Sequence, residues 1–495
     1  MKVLFIKPNN LSDHIQPSLG LAYLAQGIRK RHEVHIVDCI KERISLEDFS
    51  QKVIAIHKPD IIGIQCYTFD LRNVRKILQT IKETDTSIIT IVGGAHISSD
   101  PENAFENLKE HLDYGFAGEA EIGFPVFCDL LDSTNKKERN FSSVPGLIWK
   151  NGDEVIFNPQ TMEQDLDRLG DPAWDLIHPE TYPEAQHGAF FKKFPIAPII
   201  TTRGCPYSCT FCSAPNLSGK KLRHHSLNYI LRNIRLLYYD FGVREFHIVD
   251  DNFTQDIDYA KEIVKGIIDL NLNISLAMPN GIRMDYLDDE LLELLKRAGL
   301  YVVSVAVESG NNKILKNMLK GTTVEKIRKD VDRIHRHGLD IAAFFILGFP
   351  GETIKSMQDT INLAMELPLL RANFFTYLPL PGTESYRQLE KSGEIHGVDW
   401  DNFYFMSAAY TPKGVKRDDL LKLKKTAFLK FHLRPKVLLR NIMSIQNPRH
   451  FKFLMRRFYH WIIMKDTANS EFLTTSSVES TPKTCPPVAA SRSEI

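Results

Sequence analysis

Twice along this chain, short β-type apolar runs alternate with amphipathic helical segments, a rhythm that restricts it to parallel sheets covered by helices. In the first block the runs are Lys2–Lys7, Glu33–Asp38, Asp60–Gln65, Ser87–Val92 and Tyr114–Ala117, with helical patterns such as Leu19–Arg31 and Leu71–Lys82 between them. In the second they are Ile196–Thr202, Glu245–Asp250, Ile274–Met278, Tyr301–Val307, Ile341–Leu347 and Ala372–Tyr377. The first block predicts an α/β, Rossmann-like, doubly wound domain, and the second a partial (β/α)6 barrel. A chain of 495 residues is expected to form two or three domains. The expected division is 1–140 for the first domain, 141–195 for a connector, 196–400 for the barrel, 401–467 for a basic helical region and 468–495 for a disordered tail rich in Ser, Thr and Pro. Within the connector, Val144–Trp149 and Glu154–Phe157 flank Asn151-Gly152, a hairpin signal.

The second block's first strand runs straight into Thr201-Thr202-Arg203-Gly204-Cys205-Pro206-Tyr207-Ser208-Cys209-Thr210-Phe211-Cys212. Three of the chain's seven cysteines fall there within eight residues. Spacing that short lets one loop turn its thiolates onto a single inorganic centre, and soft thiolates select zinc, copper(I) or an iron–sulfur cluster. Held by only Cys205, Cys209 and Cys212, a four-iron cubane keeps one iron open to a small molecule. A zinc site would need a fourth ligand, which His224 or His225 could supply. Three close cysteines cannot all pair as disulfides, and inert buried cysteines seldom gather on a loop containing Gly204 and Pro206.

Cys-x3-Cys-x2-Cys, with the aromatic Phe211 just before the last cysteine, resembles the signature of radical S-adenosylmethionine (SAM) enzymes. The resemblance implies a [4Fe-4S] cluster whose open iron binds SAM. It also implies reductive cleavage to methionine and a 5′-deoxyadenosyl radical, with the electron drawn from an external one-electron reductant, a flavodoxin or ferredoxin. In barrels of parallel strands the functional groups sit on the loops after the strands. Those loops carry Asp250-Asp251-Asn252-Phe253, Asn280-Gly281-Ile282-Arg283, Glu308-Ser309-Gly310 and Gly348-Phe349-Pro350-Gly351-Glu352. By resemblance, Asp250 and Asp251 stand where the family contacts the SAM amino group, and Gly348 and Gly351 belong to its adenine-side loop. Arg283 is a candidate for the SAM carboxylate, because a guanidinium fork matches a carboxylate, and Glu308 for the ribose. The competing readings are solvated loops or helix caps for the acids and tight turns for the glycines.

In open α/β sheets ligands bind beyond the carboxyl ends of the strands. In the first block those ends carry Pro8-Asn9-Asn10, Gln65-Cys66-Tyr67-Thr68, Gly93-Gly94-Ala95-His96 and Gly118-Glu119-Ala120-Glu121. No Gly-x-Gly-x-x-Gly follows the first strand, which argues against a dinucleotide. The bare Gly93-Gly94 backbone would admit a bulky ligand. Together with the cysteines, this set resembles the cobalamin (B12)-binding domain that precedes the radical SAM core in one large subfamily. Cobalamin contacts are then implied for Asn9, Cys66, Tyr67, Thr68, Gly93, Gly94, His96, Gly118 and Glu119. The Asp-x-His-x-x-Gly motif of other cobalamin enzymes is missing, since Asp13-His14 has another spacing, so no histidine of that loop is expected on cobalt. His96 has a rival role as a helix-cap or loop hydrogen-bonding group. A primary carbon radical cannot travel far, so the Gly93-Gly94 loop is expected to face the cysteine loop.

The implied reaction is methylation of an unactivated carbon of a small molecule. One alternative is an anaerobic oxidative cyclase or ring-rearranging enzyme resembling the magnesium-protoporphyrin ester cyclases. Another is a methylthiotransferase-like nucleic-acid modifier, but those carry extra cluster cysteines where this chain has only Cys39, Cys66 and Cys128, so nucleic acid is not the expected partner. A zinc-bound, cobalamin-sensing scaffold is the non-enzymatic alternative.

Formal net charge is +1, yet Gly414–Lys465 holds fourteen Lys and Arg against two acids. Phe451, Leu454, Phe458 and Trp461 recur there at helical spacing, with Lys452, Arg456 and Arg457 between them, as in an amphipathic basic helix. Such a helix covers the open side of the barrel, grips nucleic acid, or makes peripheral contact with an anionic membrane and hints at a lipid or other hydrophobic acceptor. No stretch approaches the roughly 18 apolar residues of a membrane span, and Met1–Pro8 is too short and too soon broken for a signal peptide. The cysteine usage, with Cys485 isolated in the tail, fits a reducing cytoplasm.

Overall fold

The computed structural model describes residues 1–9, 15–133, 139–183, 191–395 and 407–443, with isolated positions between 398 and 455. The motif Asp13-His14, Cys485 and the helical positions Leu454, Arg456, Arg457, Phe458 and Trp461 lie outside the described residues.

The first sheet has seven strands: β1 (Lys2–Lys7), β2 (Glu33–Asp38), β3 (Ile61–Gln65), β4 (Ile89–Gly93), β5 (Tyr114–Phe116), β6 (Leu147–Asn151) and β7 (Glu154–Phe157). Their order is β2-β1-β3-β4-β5-β6-β7, parallel through β5 and antiparallel beyond it. Val3 to Ile6 are buried on both faces, as strands sandwiched between helices must be. Helices Leu71–Thr84 and Pro101–Leu108 pack on one face and Leu19–Ile28 and Gly123–Asp132 on the other. The hairpin at Asn151-Gly152 forms, but β6 pairs with β5. The segment expected to begin a connector at 141 therefore extends the first sheet to Phe157, because β5 offers an open edge for pairing.

The second sheet contains β8 (Ile196–Ile199), β11 (Glu245–Ile248), β12 (Ser275–Ile282), β13 (Leu300–Glu308), β14 (Asp340–Leu347) and β15 (Arg371–Thr376), in the order β15-β14-β13-β12-β11-β8 and all parallel. This is the open (β/α)6 array. Two short strands, β9 (Thr202–Arg203) and β10 (Arg223–His224), pair antiparallel beside it. Asn280-Gly281-Ile282, expected in a loop, instead continues β12 through a bulge between Met278 and Ile282. Pro279 has no N–H to give a ladder, so the strand bulges there and resumes.

The helix Arg417–His432 covers β15, burying Leu420, Ala427, Phe428 and Phe431 together with Lys424, whose ammonium burial lowers to about 7. Helix Leu19–Ile28 serves both cores: Leu21, Ala25 and Ile28 face the first sheet, while Leu19, Ala22 and Tyr23 pack with Trp174 and the barrel. The two units therefore share a buried face. Among the described residues no helix is long and apolar enough to cross a membrane.

Candidate active site

The cysteine loop is a lobe closed at its neck by β9 and β10, with Arg203 opposite Arg223. Asp250 sits beneath the neck, buried, and accepts from Thr201 N at 2.7 Å, Thr202 N at 3.0 Å, Thr202 Oγ1 at 2.9 Å and Thr201 Oγ1. Burial raises its carboxyl to about 6 against the pull of those donors. Asp250, expected at the SAM amino group, uses its carboxylate here to anchor the lobe. Asp251 is exposed, and its carboxylate accepts from Ser218 and from the Gly204 backbone.

Gly204 has φ +98°, and a Cβ there would stand 2.2 Å from Lys221 O, so only glycine lets the chain turn from β9 into the cysteines. Farther along, Thr210 N donates to Met318 O at 3.0 Å, and Ser385 N donates to Thr210 O at 2.8 Å. Cys205, Cys209 and Cys212 are free thiols, each half-buried. Burial pushes Cys212 up to about 12, so a metal centre must displace its proton on binding. His225 is engaged with Asp167 at 3.0 Å and stacked on Tyr229, and His224 leans on Tyr259 with Asp256 at 3.5 Å, so neither is presented as a fourth zinc ligand. Among the described residues no three His, Cys, Asp or Glu groups converge on a single-ion site. Three unpaired thiols on one glycine-hinged lobe are a donor set suited to a larger, thiolate-held cluster.

Next to the lobe lies a cavity of about 390 Å³, lined by Phe211, Asn280, Glu308, Phe344, Ile346 and Phe375 among others. Glu308 ends β13 with φ +64° and pairs with Lys320 at 2.9 Å, both side chains 9% exposed. Sequence inspection overlooked Lys320, which also lies 5.9 Å from the Phe211 ring. Arg283 is placed differently from expectation. Its guanidinium is held by Asp285, with Nε to Oδ2 at 3.0 Å, and lies 3.7 Å over the Tyr207 ring, so it steadies the cysteine loop from the side. Gly348 presses its Cα side against Leu420, and its N–H donates to Glu352 Oε2 at 2.7 Å, as Phe349 N does at 3.0 Å. Burial lifts the Glu352 carboxyl to about 7. Gly351 is exposed, and a Cβ there would meet Asn317 Nδ2 at 3.8 Å.

On the first sheet, the loops after β3 and β4 meet. Cys66 N donates to Gly93 O at 2.8 Å, and His96 N donates to Cys66 O at 3.0 Å. Gly94 has φ +104°, and a Cβ there would lie 3.0 Å from Cys66 O, so its bareness admits the neighbouring backbone and not a ligand. His96 Nδ1 is 3.3 Å from Thr68 Oγ1, its Nε2 is buried without a partner among the described residues, and burial depresses the ring to about 4. Tyr67 is exposed and stacked on Phe69, and Gly118 N donates to Ser98 Oγ at 2.8 Å. Cys66, Tyr67, Thr68, Gly93, Gly94, His96 and Gly118 thus form one neighbourhood, with an orphaned imidazole nitrogen that suits a large polar ligand such as cobalamin. Asn9 instead binds Ile44 O through its side chain and receives Asn73 Nδ2 at 2.6 Å.

Glu119 is the clearest departure. Its carboxylate takes both Arg223 nitrogens, at 2.6 and 2.8 Å, and lies 3.5 Å from Arg203, which also bonds Glu121 at 2.8 Å. All four side chains are nearly buried, and Arg203 packs 4.9 Å over Tyr23. The Gly118–Glu121 loop is therefore ion-paired to the residue two before Cys205. Helix Ala95–Ser99, which begins right after Gly94, packs on helix Ala214–Ser218, which follows Cys212. The two loop systems face each other across this contact.

Residues 199–364 match the model of the radical SAM superfamily, and residues 11–127 that of the B12 binding domain. The chain is 29% identical over 467 residues to the uncharacterized methyltransferase PH0819 of Pyrococcus horikoshii, covering 92% of this chain and 97% of that protein. It is also 29% identical over 448 residues to cytidylyl-2-hydroxyethylphosphonate methyltransferase of Streptomyces wedmorensis, covering 80% and 82%. Anaerobic magnesium-protoporphyrin IX monomethyl ester cyclases are relatives as well. The fold matches the structure of the radical SAM methyltransferase TsrM from Kitasatospora setae with a TM-score of 0.64 at 19% identity, over 80% of this chain and 77% of that one. The chain thus carries a B12 binding domain placed ahead of a radical SAM domain.

Proposed function

We propose that this enzyme methylates an unactivated carbon of an apolar small molecule, using SAM, a [4Fe-4S] cluster and cobalamin. The observation that carries this reading is the ion-paired contact between the Gly118–Glu121 loop and Arg203, which brings the B12-side loops to the neck of the cysteine lobe. When bound, the cluster and cobalamin supply one-electron cleavage of SAM and the methyl group. The protein's share is position and shelter. Cys205, Cys209 and Cys212 hold the cluster, and Phe211, Asp251 and Glu308 border the SAM space. Phe344, Ile346 and Phe375 present an apolar wall to the acceptor and keep water away from it. The electron comes from a flavodoxin- or ferredoxin-type reductant in a reducing cytoplasm, and the basic C-terminal region gives the enzyme a peripheral contact with lipid.

The test is anaerobic reconstitution with iron, sulfide and hydroxocobalamin, followed by incubation with a strong reductant and SAM carrying a labelled methyl group. The expected result is about four irons per chain, deoxyadenosine formation and label in a product. Deoxyadenosine with no methylated product from any apolar acceptor would favour the cyclase-type outcome. Zinc in place of iron would remove the reading altogether.

A further inference from the structure

Seven of the fourteen large apolar side chains left exposed among the described residues fall in one short part of the chain, between Leu433 and Met455. The preceding helix, Arg417–His432, turns its apolar residues onto the barrel. After it, on helix Pro435–Met443, Val437 alone among the described side chains enters the core. Successive residues of a helix step by about 100°, so Leu438, Leu439, Ile442 and Met443 occupy the side opposite Val437, 44% to 72% exposed. The orientation is held from below. Arg440 pairs with Asp340 at 2.6 Å, Arg434 donates to Met365 O at 3.0 Å, and His432 reaches Ala372 O at 3.2 Å. These partners lie at or before the starts of β14 and β15, so the face sits at the end of the barrel away from the cysteine lobe.

We propose that this face docks on an anionic lipid surface, with Leu438, Leu439, Ile442 and Met443 seated among the acyl chains and the basic side chains over the phosphates. Charge selects that occupant. Lys436 on the same helix and Lys430 on the one before it are exposed, and Gly414–Lys465 carries fourteen basic residues against two acids. A second copy of this chain would bring the same positive charge to the contact. Nucleic acid would match the charge, but it stacks on aromatic platforms, and the stripe on helix Pro435–Met443 is wholly aliphatic and thioether. Docking at this end leaves the cavity beside Phe211 unobstructed. The inference does not depend on the reaction proposed for the barrel.

The experiment is sedimentation of the reconstituted full-length enzyme with vesicles of phosphatidylcholine alone or of phosphatidylcholine and phosphatidylglycerol in equal parts. The enzyme is expected to sediment with the anionic vesicles, to partition at least about tenfold less onto the neutral ones, and to be released as salt rises. Leu438→Glu/Ile442→Glu should abolish sedimentation with thermal stability and SAM cleavage unchanged, and Lys430→Gln/Lys436→Gln should weaken it. Absence of wild-type sedimentation at low salt, or equal sedimentation by Leu438→Glu/Ile442→Glu, overturns the proposal. So does a wild-type dimer that this variant dissociates, or a single-stranded RNA complex that it abolishes, since each assigns the face to another occupant.

Discussion

Arg223 grips Glu119 through both of its terminal nitrogens, at 2.6 and 2.8 Å, across 104 residues of sequence and with both side chains nearly buried. One member stands on the loop after β5 and the other on β10, at the neck of the cysteine lobe. Glu119→Gln would leave the buried Arg223 guanidinium without its carboxylate and weaken the charge opposite Arg203. Breaking one side of a buried pair costs on the order of 3–5 kcal/mol, whereas replacing both partners by apolar groups can be near neutral. Glu119→Gln should therefore lower the thermal midpoint and cut labelled product per deoxyadenosine, while Glu119→Gln/Arg223→Met regains the stability. A double variant as unstable as the single one would contradict the pairing account.

Replacing Cys209 with Ala removes one of three cluster ligands and touches nothing on the first sheet. Bound iron and deoxyadenosine formation should fall to background, while the visible absorption of bound cobalamin persists. Loss of both cofactors together would mean that the two loop systems do not bind independently.

Gly204→Ala forces a Cβ to within 2.2 Å of Lys221 O at a left-handed φ. Strain of this kind costs roughly 1–3 kcal/mol before the clash is relieved. Since the barrel core is untouched, the expected signature is unchanged circular dichroism with sharply reduced iron uptake. Normal iron content would show that the neck can turn without glycine.

Lys320 neutralises Glu308 at the cavity wall. Lys320→Met should leave that carboxylate without its cation and raise the KM for SAM by about tenfold, equivalent to roughly 1.4 kcal/mol, with a smaller effect on kcat. Lys320→Arg should recover most of the loss. An unchanged KM in the methionine variant would separate Glu308 from SAM binding.

Burial holds His225 at about 4, against the opposing pull of its hydrogen bond to Asp167, and His96 and His432 at about 4 as well. A histidine depressed in the folded state contributes stability above its unfolded value near 6.5, and that contribution drains away as pH falls toward 4. Thermal midpoints should therefore drop between pH 6.5 and 4.5, and less steeply in His225→Gln. Parallel curves for the two proteins would rule out His225 as a contributor.

Sequence alone determined the features that depend on neighbours along the chain. The β/α rhythm set two parallel sheets, the hairpin at Asn151-Gly152 formed where turn chemistry called for it, and three cysteines within eight residues defined one lobe because covalent connectivity already holds them together. Only the tertiary structure decided where the charged side chains go. Asp250 turned to Thr201 and Thr202, Glu119 to Arg223, and Lys320 emerged beside Glu308. The hairpin's attachment to β5 was likewise a matter of which edge lay open. A buried charge must be matched by whichever opposite group packing brings within about 3 Å, and that meeting is set by the fold and not by spacing along the chain.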